Sequence, residues 1–485
     1  MNYIKTISLL FILFMYSAGV QAENYSISDF GAQPNDGEAD TKAIQQAIDK
    51  CSEEGGGTVV FPAGTWLSGT IFLKSNISIH LKNGAVWQAV NDIDGFPYID
   101  PKIMSRENRK PRRAMVYGYQ MQNIKIFGEG TFYGGGDYDI FDREKNPDED
   151  QNYFRPFGIY LEDCRDITVE GIYMKSSGFW MQRYFYCDNI RLSNLTIYNH
   201  SNRNNDGIDL DGCHNVTVDN CFIDTSDDAL VLKSEGLRTC EDIVITNCIL
   251  SSHATPLKFG TGSLGGFKRI AVSNIVIRPS KSKVMEHVLN AWGGLSGIDL
   301  LCVDGGIMED IVINNVVMDS VETPIFIKLG NRHSTWEGKP ETTPGRISNI
   351  RISNVTARES GAISSAITGY PGNYVENVQL SDIYISVRGS DDPADTATNV
   401  KENAGGYPYN RMFDSNLPSY GFYVRHAKNI TFDNVEMSIE NTEVRPAMVF
   451  DDAHEIYLNK IKAEQSESPE KIKSINSDIR RLNYK

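Results

Sequence analysis

The sequence predicts an all-β protein folded as a parallel β-helix, a solenoid whose short strands stack coil upon coil. Three observations support this fold class. A short phrase returns along the chain at a near-regular interval, each copy alternates β-branched with polar residues, and Asn, Asp or Gly separates one strand from the next. A fixed period indicates stacked repeats, and the alternation indicates strands with one buried face.

The repeated phrase sets the size of one coil. Its copies begin at Met121, Cys164, Cys187, Cys213, Cys240, Phe267, Met308, Ile347, Val375 and Ala427. The five copies from Cys164 to Phe267 are separated by 23, 26, 27 and 27 residues. A four-stranded propeller blade needs nearly twice this period, and no helical pattern alternates with the strands. We therefore expect three strands per coil, with Asn side chains stacked at the turns.

One helix is predicted near the N-terminus. Residues 40–48 place apolar side chains at helical spacing, and Asp40 or Thr41 can serve as the N-cap. A helix at this point would cover the open end of the solenoid, because a stacked array needs a cap at its ends. No change of composition marks a linker, so residues 23–485 are expected to form one domain.

The first 22 residues are typical of a signal peptide. Lys5 precedes a mostly apolar run over residues 7–18, and Val20-Gln21-Ala22 gives the small-residue pattern of a cleavage site. The apolar run is too short for a membrane span, and no other segment approaches that length. A buried N-terminal helix is the alternative. We expect a mature chain from Glu23 that is exported to the periplasm or the extracellular space.

Charge and cysteine content narrow the range of partners. A formal net charge of -16 at pH 7 argues against nucleic acid, although a locally basic cleft can still bind an acidic polysaccharide. Four of the eight cysteines share one repeat position, which favours a ladder of buried thiols over disulfides. No Cys or His spacing indicates a metal site, so we expect neither a metal nor a cofactor. No pattern predicts the oligomeric state.

The segment from Asn204 to Ser234 holds the candidate catalytic residues. Asp206 and Asp228 precede equivalent strands of neighbouring coils, and Asp227 adds a third carboxylate, so the three should lie side by side. Crowded carboxylates push their pKa values apart, which suits one to act as an acid and the others as bases. Aspartates also populate ordinary turns, but this cluster lies beside Lys233 on one face, which favours a function.

Alignment of successive strands predicts which side chains share the face of this cluster. Ile208, Leu230, Leu257, Ile298 and Ile325 form one inward ladder, and Leu210, Leu232, Phe259, Leu300 and Ile327 form the next. Strand alternation turns the residues beside and between them outward. The outward residues are Asp209, Asp211, Lys233, Lys258, Asp299 and Lys328.

Several motifs carry a resemblance to a known family. They are Asp29-Phe30-Gly31-Ala32, Gly55-Gly56-Gly57-Thr58-Val59, Arg155-Pro156, Ser177-Gly178-Phe179-Trp180, Asn204-Asn205-Asp206 and Asp227-Asp228. Over nearly the whole mature chain, the sequence resembles the polygalacturonase-like glycoside hydrolases of family 28, in the pectate-lyase superfamily of right-handed β-helices. The resemblance implies a right-handed solenoid that hydrolyses pectic polysaccharides or oligosaccharides with inversion. It implies that Asp228 is the general acid and that Asp206 and Asp227 hold the attacking water.

Two motifs of that family are altered here. Thr255 stands where the resemblance places a histidine, and His253 is the candidate substitute. The basic motif that contacts the substrate carboxylate falls at Asp299-Leu300-Leu301, where no basic residue remains. Lys258, Lys328 and Arg332 either replace its charge or are ordinary solvated residues. The predicted substrate-binding set is Lys233, His253, Lys258, Asn204, Asp209, Lys328 and Arg332.

These alterations favour a branched or mixed pectin, such as rhamnogalacturonan, or a single terminal sugar as the substrate. Insertions over residues 134–154, 332–346 and 390–420 favour attack at a chain end, because loops can close a groove. A basic island at residues 106–113 either lines that groove or is a solvated loop.

Two other functions remain open at this point. A pectic polysaccharide lyase on the same fold would need a calcium site, which the Asp cluster could supply, and an Arg or Lys base. A non-catalytic carbohydrate-binding solenoid would need no special cluster on one face. The paired aspartates match the hydrolase motif better than either alternative.

Overall fold

The computed structural model describes residues 23–147, 149–150, 153–280, 282, 293–332, 344–406 and 410–481. The predicted signal peptide lies outside these residues. Within them the chain folds as a right-handed parallel β-helix with one α-helix, which confirms the predicted fold class.

The strands are short in the N-terminal coils and longer towards the C-terminus. The first nine are β1 (Glu23–Ser26), β2 (Gly57–Phe61), β3 (Gly64–Ser68), β4 (Ile71–Phe72), β5 (Ile77–Leu81), β6 (Ala85–Ala89), β7 (Arg113–Tyr119), β8 (Gln122–Gly128) and β9 (Thr131–Tyr133). The next ten are β10 (Pro156–Glu162), β11 (Arg165–Glu170), β12 (Tyr173–Lys175), β13 (Gln182–Phe185), β14 (Asp188–Ser193), β15 (Thr196–Asn199), β16 (Ile208–Asp211), β17 (His214–Asp219), β18 (Phe222–Thr225) and β19 (Leu230–Ser234).

The remaining strands are β20 (Cys240–Ser252), β21 (Leu257–Ser263), β22 (Phe267–Ile277), β23 (Ser296–Cys302), β24 (Ile307–Asp319), β25 (Thr323–Leu329), β26 (Arg346–Ser360), β27 (Ser365–Thr368), β28 (Val375–Val387), β29 (Phe422–Ile439), β30 (Met448–Ala463), β31 (Ile472–Ile475) and β32 (Ile479–Arg481). The α-helix α1 spans Thr41–Glu53, and short 3-10 turns span Ile27–Phe30, Ile93–Gly95, Asp139–Phe141, Pro393–Thr396 and Asn410–Phe413.

Three parallel sheets run along the solenoid. Sheet A begins with β2, β5, β8, β11, β14 and β17, and sheet B with β3, β6, β9, β12, β15 and β18. Sheet C contains β4, β7, β10, β13, β16, β19, β21, β23, β25 and β27. From β20 onward, long strands bend at the corner and belong to both sheets A and B. Each strand bonds to the strand one coil later, so residues about one repeat apart become lateral neighbours.

The register of sheet C confirms both predicted inward ladders. Ile208 pairs with Leu230, Leu230 with Leu257, Leu257 with Ile298, and Ile298 with Ile325. Leu210 begins the second ladder, which continues through Leu232, Phe259, Leu300 and Ile327. All ten side chains are buried in one continuous core. Their burial fixes which residues of sheet C point away from the coil interior.

Asparagine side chains stack along the corner between sheets A and B, as predicted. Asn220 donates to Asn194 at 2.6 Å, Asn274 to Asn247 at 3.1 Å, and Asn315 to Asn274 at 3.1 Å. Each has a positive φ near 55°, a left-handed conformation that Asn tolerates better than other residues with a Cβ. The stack therefore satisfies side-chain amides while the backbone makes the turn.

The cysteines form buried ladders rather than disulfides. All eight are free thiols with buried side chains. Cys164, Cys187, Cys213 and Cys240 follow one another at the same coil position, and Phe267 and Met308 continue the row. Small apolar thiols suit this interior position.

Helix α1 covers the N-terminal end of the solenoid. Its apolar stripe of Ile44, Ala47, Ile48 and Cys51 is buried against the first coils. Asp40 occupies the N-cap position, but its carboxylate accepts from the backbone amides of Gln33 and Leu67 instead of capping the helix. Asp40 is thus the N-cap residue, as predicted, but its side chain joins the segment at Gln33 to strand β3 instead of bonding to the helix. Among the described residues, no helix is long and apolar enough to cross a membrane.

The Asn stack provides a test of coil stability. Replacing Asn274 with Ala removes its bonds to Asn247 and Asn315 and forces an alanine to adopt φ of 58°. We expect the free energy of unfolding to fall by about 2 kcal/mol, from the lost bonds and the left-handed backbone together. Asn274→Gly loses the bonds but accepts the conformation, so it should cost about half as much. Urea unfolding followed by circular dichroism measures both, and equal losses would contradict the role of the backbone.

Candidate active site

The three predicted carboxylates lie at the leading edge of sheet C. Asp206 precedes β16 and Asp228 precedes β19, and the amide of Gly207 donates to the backbone oxygen of Asp228 at 3.0 Å. A Cβ on Gly207 would lie 2.4 Å from the backbone oxygen of Ala229, so only glycine lets the two coils approach here. Backbone pairing between coils thus places Asp206 beside Asp228.

Buried amide side chains hold the turn that leads into Asp206. The Asn205 side chain accepts from the backbone amide of Ser201 and donates to the backbone oxygens of Ser177 and Phe179. Asn199 donates to the backbone oxygen of Asp206 at 3.0 Å. These bonds fix the Asp206 backbone independently of its carboxylate.

The turn at Asp227 is fixed by two hydroxyl groups. Thr225 and Ser252 both donate to its backbone oxygen, at 2.6 Å and 2.5 Å. Its carboxylate accepts from the Asp228 amide at 3.0 Å and from the Asn204 side chain at 3.5 Å. Arg155 in turn donates to the Asn204 side chain at 3.1 Å. Asn204 therefore reaches the carboxylate cluster, and its predicted contact with the substrate stays a prediction.

The three carboxylates converge on one point. One oxygen from each of Asp206, Asp227 and Asp228 lies within 4.8 Å of the other two. Asp206 and Asp228 are each less than 4% exposed, and Asp227 is partly covered. Within the described chain, one carboxylate oxygen of Asp206 and one of Asp228 is buried without a hydrogen-bond partner. These oxygens are acceptors that the described residues leave unused.

Two lysines from neighbouring coils compensate the buried negative charge. The Lys233 ammonium lies 3.2 Å from Asp206 and 2.5 Å from Asp209, and it sits 3.4 Å from the centre of the Trp180 ring. The Lys258 ammonium lies 2.7 Å from Asp228. Lys233, Lys258 and Asp209 are therefore brought to the cluster, as predicted from the sequence.

Burial shifts the protonation of this cluster. Burial raises the pKa of Asp209 to about 7, against the opposing effect of Lys233. Burial, followed by the Asp228 charge, raises the pKa of Asp227 to about 6, and burial raises the pKa of Asp206 well above its usual range. Burial opposes the charge of Lys233, but Asp209 and Asp206 together raise its pKa. The cluster can therefore keep a proton near neutral pH while its lysines stay charged.

Asp299 brings a further carboxylate to the same face. It is the register partner of Lys258 on the next coil, and its side chain is fully buried. One of its oxygens accepts from the Thr255 hydroxyl at 3.0 Å, and the Ser296 hydroxyl is a further partner of this carboxylate. Burial raises the pKa of Asp299 to about 7. Thr255, which replaces the histidine of the family motif, thus orients this acid.

The outward residues of sheet C point away from the coil interior but are not solvated. Asp209, Asp211, Lys233, Lys258, Asp299 and Lys328 are all buried. Their outward orientation is as predicted, and other parts of the chain cover them. Asp211 is a structural residue, since it binds Arg183 at 2.8 Å and accepts from the backbone amide of Glu235.

Three predicted binding residues contact other partners. His253 lies 2.8 Å from the backbone oxygen of Ser282 and packs edge-on against the ring of His200. The Lys328 ammonium donates to the backbone oxygen of Asn403 at 2.7 Å, and burial lowers its pKa to about 8. Their contacts with the substrate stay a prediction.

Arg332 is the third of these residues. Its guanidinium binds the buried carboxylate of Asp304, with one nitrogen 2.7 Å from an oxygen, and its side chain is 3% exposed. The charge of Arg332 is therefore compensated within the protein.

Aromatic clusters close the polar face on both sides. On the N-terminal side the outward residues are Phe157, Tyr160, Phe179, Trp180 and Phe185. The cluster on the C-terminal side combines Leu301, Phe326 and Tyr423 of the coils with Phe413 and Leu417 of the insertion. Both clusters are buried, the second beneath part of the predicted insertion at residues 390–420. The described polar face thus occupies only the coils between them.

The basic island divides into two parts. The side chain of Arg112 is 1% exposed and lies 3.9 Å from the ring centre of Tyr153. The amide of Arg106 donates to the backbone oxygen of Glu235 beside sheet C, whereas Arg109 is exposed. Most of the basic island therefore belongs to the N-terminal wall of the site, and only part of it is a solvated loop.

Sequence reasoning gave no role to three residues at the site. Trp180 supports Lys233, Arg155 holds Asn204, and Asp299 adds an acid. Trp180 and Arg155 stand in two of the recognised motifs, and Asp299 was predicted to be outward on sheet C. Those signals could have singled them out, but the contacts depend on residues that are distant in the sequence.

Comparisons with known proteins show which family this chain is similar to. The model of Glycosyl hydrolases family 28 matches residues 51–406. A protein named probable polygalacturonase from Vitis vinifera is 26% identical over 392 residues, or 76% of each chain. An endo-polygalacturonase from Pectobacterium parmentieri is 25% identical over 342 residues, which cover 67% of this chain and 79% of that protein.

Solved structures show a similar fold. A hyperthermoactive exopolygalacturonase from Thermotoga maritima matches with a TM-score of 0.64 at 20% identity, over 90% of this chain and 96% of the other. A polygalacturonase from Erwinia carotovora matches with a TM-score of 0.59 at 19% identity, over 76% of this chain and 93% of the other.

The buried acids predict how stability depends on pH. Asp209, Asp227 and Asp299 have pKa values of about 7, 6 and 7 when folded, against roughly 3.9 when unfolded. At pH values between the unfolded and the folded pKa, the folded chain binds more protons than the unfolded chain. The free energy of unfolding therefore falls as pH rises from about 4 to 7. Asp299→Asn removes one such group, and the loss of stability between pH 5 and pH 8 should shrink by about 2 kcal/mol.

Urea unfolding at the two pH values measures this difference. Asp242→Asn is the control, because a hydrogen bond from Arg269 lowers the pKa of Asp242 and its titration lies below the window. An Asp299→Asn variant with the pH dependence of the parent would contradict the burial of this charge.

Proposed function

The chain belongs to glycosyl hydrolase family 28, and we propose that it hydrolyses glycosidic bonds in pectic polysaccharides or oligosaccharides. The observation that carries the proposal is the convergence of Asp206, Asp227 and Asp228 within 4.8 Å on the edge of sheet C. The relatives named above as polygalacturonases support the pectic substrate.

Asp228 acts as the general acid in this proposal. Its proton passes to the glycosidic oxygen while the bond from that oxygen to the anomeric carbon breaks. A water held by Asp206 and Asp227 attacks the anomeric carbon and gives its proton to one of these two carboxylates. Lys258 binds one oxygen of Asp228, and the other oxygen has no hydrogen-bond partner among the described residues. Lys233 compensates the charge that the bases carry.

The spacing of the carboxylates does not by itself select inversion. Inverting pairs are usually roughly 6.5–9.5 Å apart to hold a water between them. The nearest oxygens of this cluster are closer, within 4.8 Å. The proposal of inversion rests on the resemblance of the Asn-Asn-Asp and Asp-Asp motifs, and the configuration of the first product decides it.

Attack at a chain end is the second part of the proposal. The polar residues of sheet C lie between two buried aromatic clusters, so a long polymer has few further coils of this face to lie along. A pocket closed in this way favours release of a short product from one end. The insertion at residues 390–420 contributes Phe413 and Leu417 to one of the two walls.

Replacing the acid tests the chemistry. Asp228→Asn keeps the shape of the side chain but cannot supply the proton, so kcat on pectic oligosaccharides should fall by about a thousandfold with the fold intact. Reducing-end release measures turnover, and circular dichroism with urea unfolding measures the fold. With the parent enzyme, nuclear magnetic resonance should show the inverted anomer first, and chromatography should show one short product from the start of the reaction.

Three results would contradict parts of this proposal. Unchanged turnover in Asp228→Asn would remove the assignment of the acid. A product that is unsaturated at its new end, formed only with calcium, would identify a lyase that uses the Asp cluster as its cation site. Binding without any turnover in the parent protein would identify a non-catalytic solenoid.

Export is a further part of the proposal. The polar start, apolar run and Val20-Gln21-Ala22 pattern support removal of residues 1–22 and a periplasmic or extracellular enzyme. Expression in a bacterial host should yield a chain that begins at Glu23, as read by N-terminal sequencing. A chain that retains residues 1–22 after export would contradict the proposed cleavage site.

A further inference from the structure

We propose that the outward face of sheet B carries a second carbohydrate-binding site, separate from the carboxylate cluster. Sugar rings of an acidic polysaccharide stack there on Tyr173 and Phe222, and a uronate carboxylate pairs with Lys175. The inference rests on the proposed function only for the choice of polymer, because this second site binds the chain without cleaving it.

Two exposed aromatic side chains lie in one row on this face. Tyr173 pairs in register with Thr196, and Thr196 with Phe222, so the three occupy the same outward position on successive coils. Tyr173 is 36% exposed and Phe222 is 46% exposed, with the smaller Thr196 between them. Two strand spacings separate the aromatic residues, roughly 9.6 Å. A disaccharide can span that length, with the apolar face of each sugar ring against one aromatic side chain.

A lysine lies beside this row without a carboxylate partner. Lys175 follows Tyr173 by two residues on β12, so both side chains point outward, roughly 6.6 Å apart along the strand. Its ammonium lies 4.4 Å from the ring centre of Tyr133, and within the described ranges it forms no ion pair. The nearby Asp137 instead accepts from the Tyr133 hydroxyl at 2.6 Å. Lys175 is therefore a positive charge that an anionic ligand can compensate.

The charge of this surface selects an acidic polysaccharide over a neutral one. A neutral chain gains only the stacking on Tyr173 and Phe222, whereas a uronate chain also gains the pairing with Lys175. The whole chain has a formal net charge of -16 at pH 7, so it repels a polyanion wherever no local cation attracts it. The same charge disfavours a second copy of this protein as the occupant.

The surface adjoins the turn that carries a catalytic residue. Tyr198 is the register partner of Lys175, and the next residue, Asn199, donates to the backbone oxygen of Asp206 at 3.0 Å. In the proposed function only the end of a polymer enters the closed pocket, and the rest of the polymer stays outside. A second contact close to the pocket raises the local concentration of chain ends, as linked binding sites do.

Binding of polygalacturonate to a variant that cannot cleave it tests the second site. Asp228→Asn provides this background, and isothermal titration calorimetry measures the dissociation constant. Tyr173→Ala and Phe222→Ala together should weaken binding about fivefold, whereas Tyr173→Phe keeps an aromatic ring and should retain the affinity. Lys175→Gln should weaken binding about threefold, and it should leave binding of the uncharged methyl ester of the same polymer unchanged.

Turnover separates a second site from damage to the pocket. In the otherwise native enzyme, the Tyr173→Ala and Phe222→Ala pair should raise the ratio of KM for a pectic polymer to KM for its disaccharide about threefold. Residues that only support the fold would alter both KM values together. Val317→Ala is the matched control, because Val317 is 51% exposed in the same row, three coils beyond Phe222, and should leave the ratio unchanged.

Three results would overturn the inference alone. They are unchanged polymer affinity in the Tyr173→Ala and Phe222→Ala variant, an unchanged ratio of KM values, and a dimer of the parent enzyme that this variant loses, which would assign the surface to a second copy. A parent enzyme that cleaves no pectic chain but still binds polygalacturonate through Tyr173 and Phe222 would overturn the proposed function and leave the inference standing.

Discussion

The register in which each coil bonds to the next is the constraint on which this structure depends. In sheet C it makes lateral neighbours of residues 22, 27 and 41 positions apart, as in the pairs Ile208 with Leu230, Leu230 with Leu257 and Leu257 with Ile298. A slip of one residue would turn the ladder of isoleucine and leucine outward and the aspartates and lysines inward. The apolar ladders therefore hold the charged residues in position.

Burial of charge is the second constraint, and it follows from the first. The coils place several aspartates on one covered face, where an ionised carboxylate is costly unless it is paired. Lys233 and Lys258, each from a strand of the same sheet, bind Asp206, Asp209 and Asp228. The lysines allow the cluster to be buried, while the raised pKa values of Asp209, Asp227 and Asp299 leave it able to hold protons. Acid and base chemistry and the pH dependence of stability thus have one origin.

The walls of the site come from outside the repeat. The loop that carries Arg112 and the segment that carries Phe413 cover opposite ends of the polar face of sheet C. Their side chains pack on outward aromatic residues of the coils, such as Phe157 and Phe326. A regular solenoid would offer a long groove, and these additions restrict it to the coils that carry the carboxylates. Loops can therefore narrow this face without altering the core.

The sequence by itself determined the coil, its inward ladders and the grouping of Asp206, Asp227 and Asp228, because strand alternation and a fixed period are local and repeat many times. It also determined that Lys233, Lys258 and Asp299 share one face. Only the tertiary structure decided that this face is buried, that Lys258 binds Asp228, and that Arg332 and Lys328 bind Asp304 and the backbone of Asn403. The physical reason is that these contacts join irregular loops to distant coils, 75 residues apart for Lys328 and Asn403, and no period in the sequence encodes where such a loop will dock.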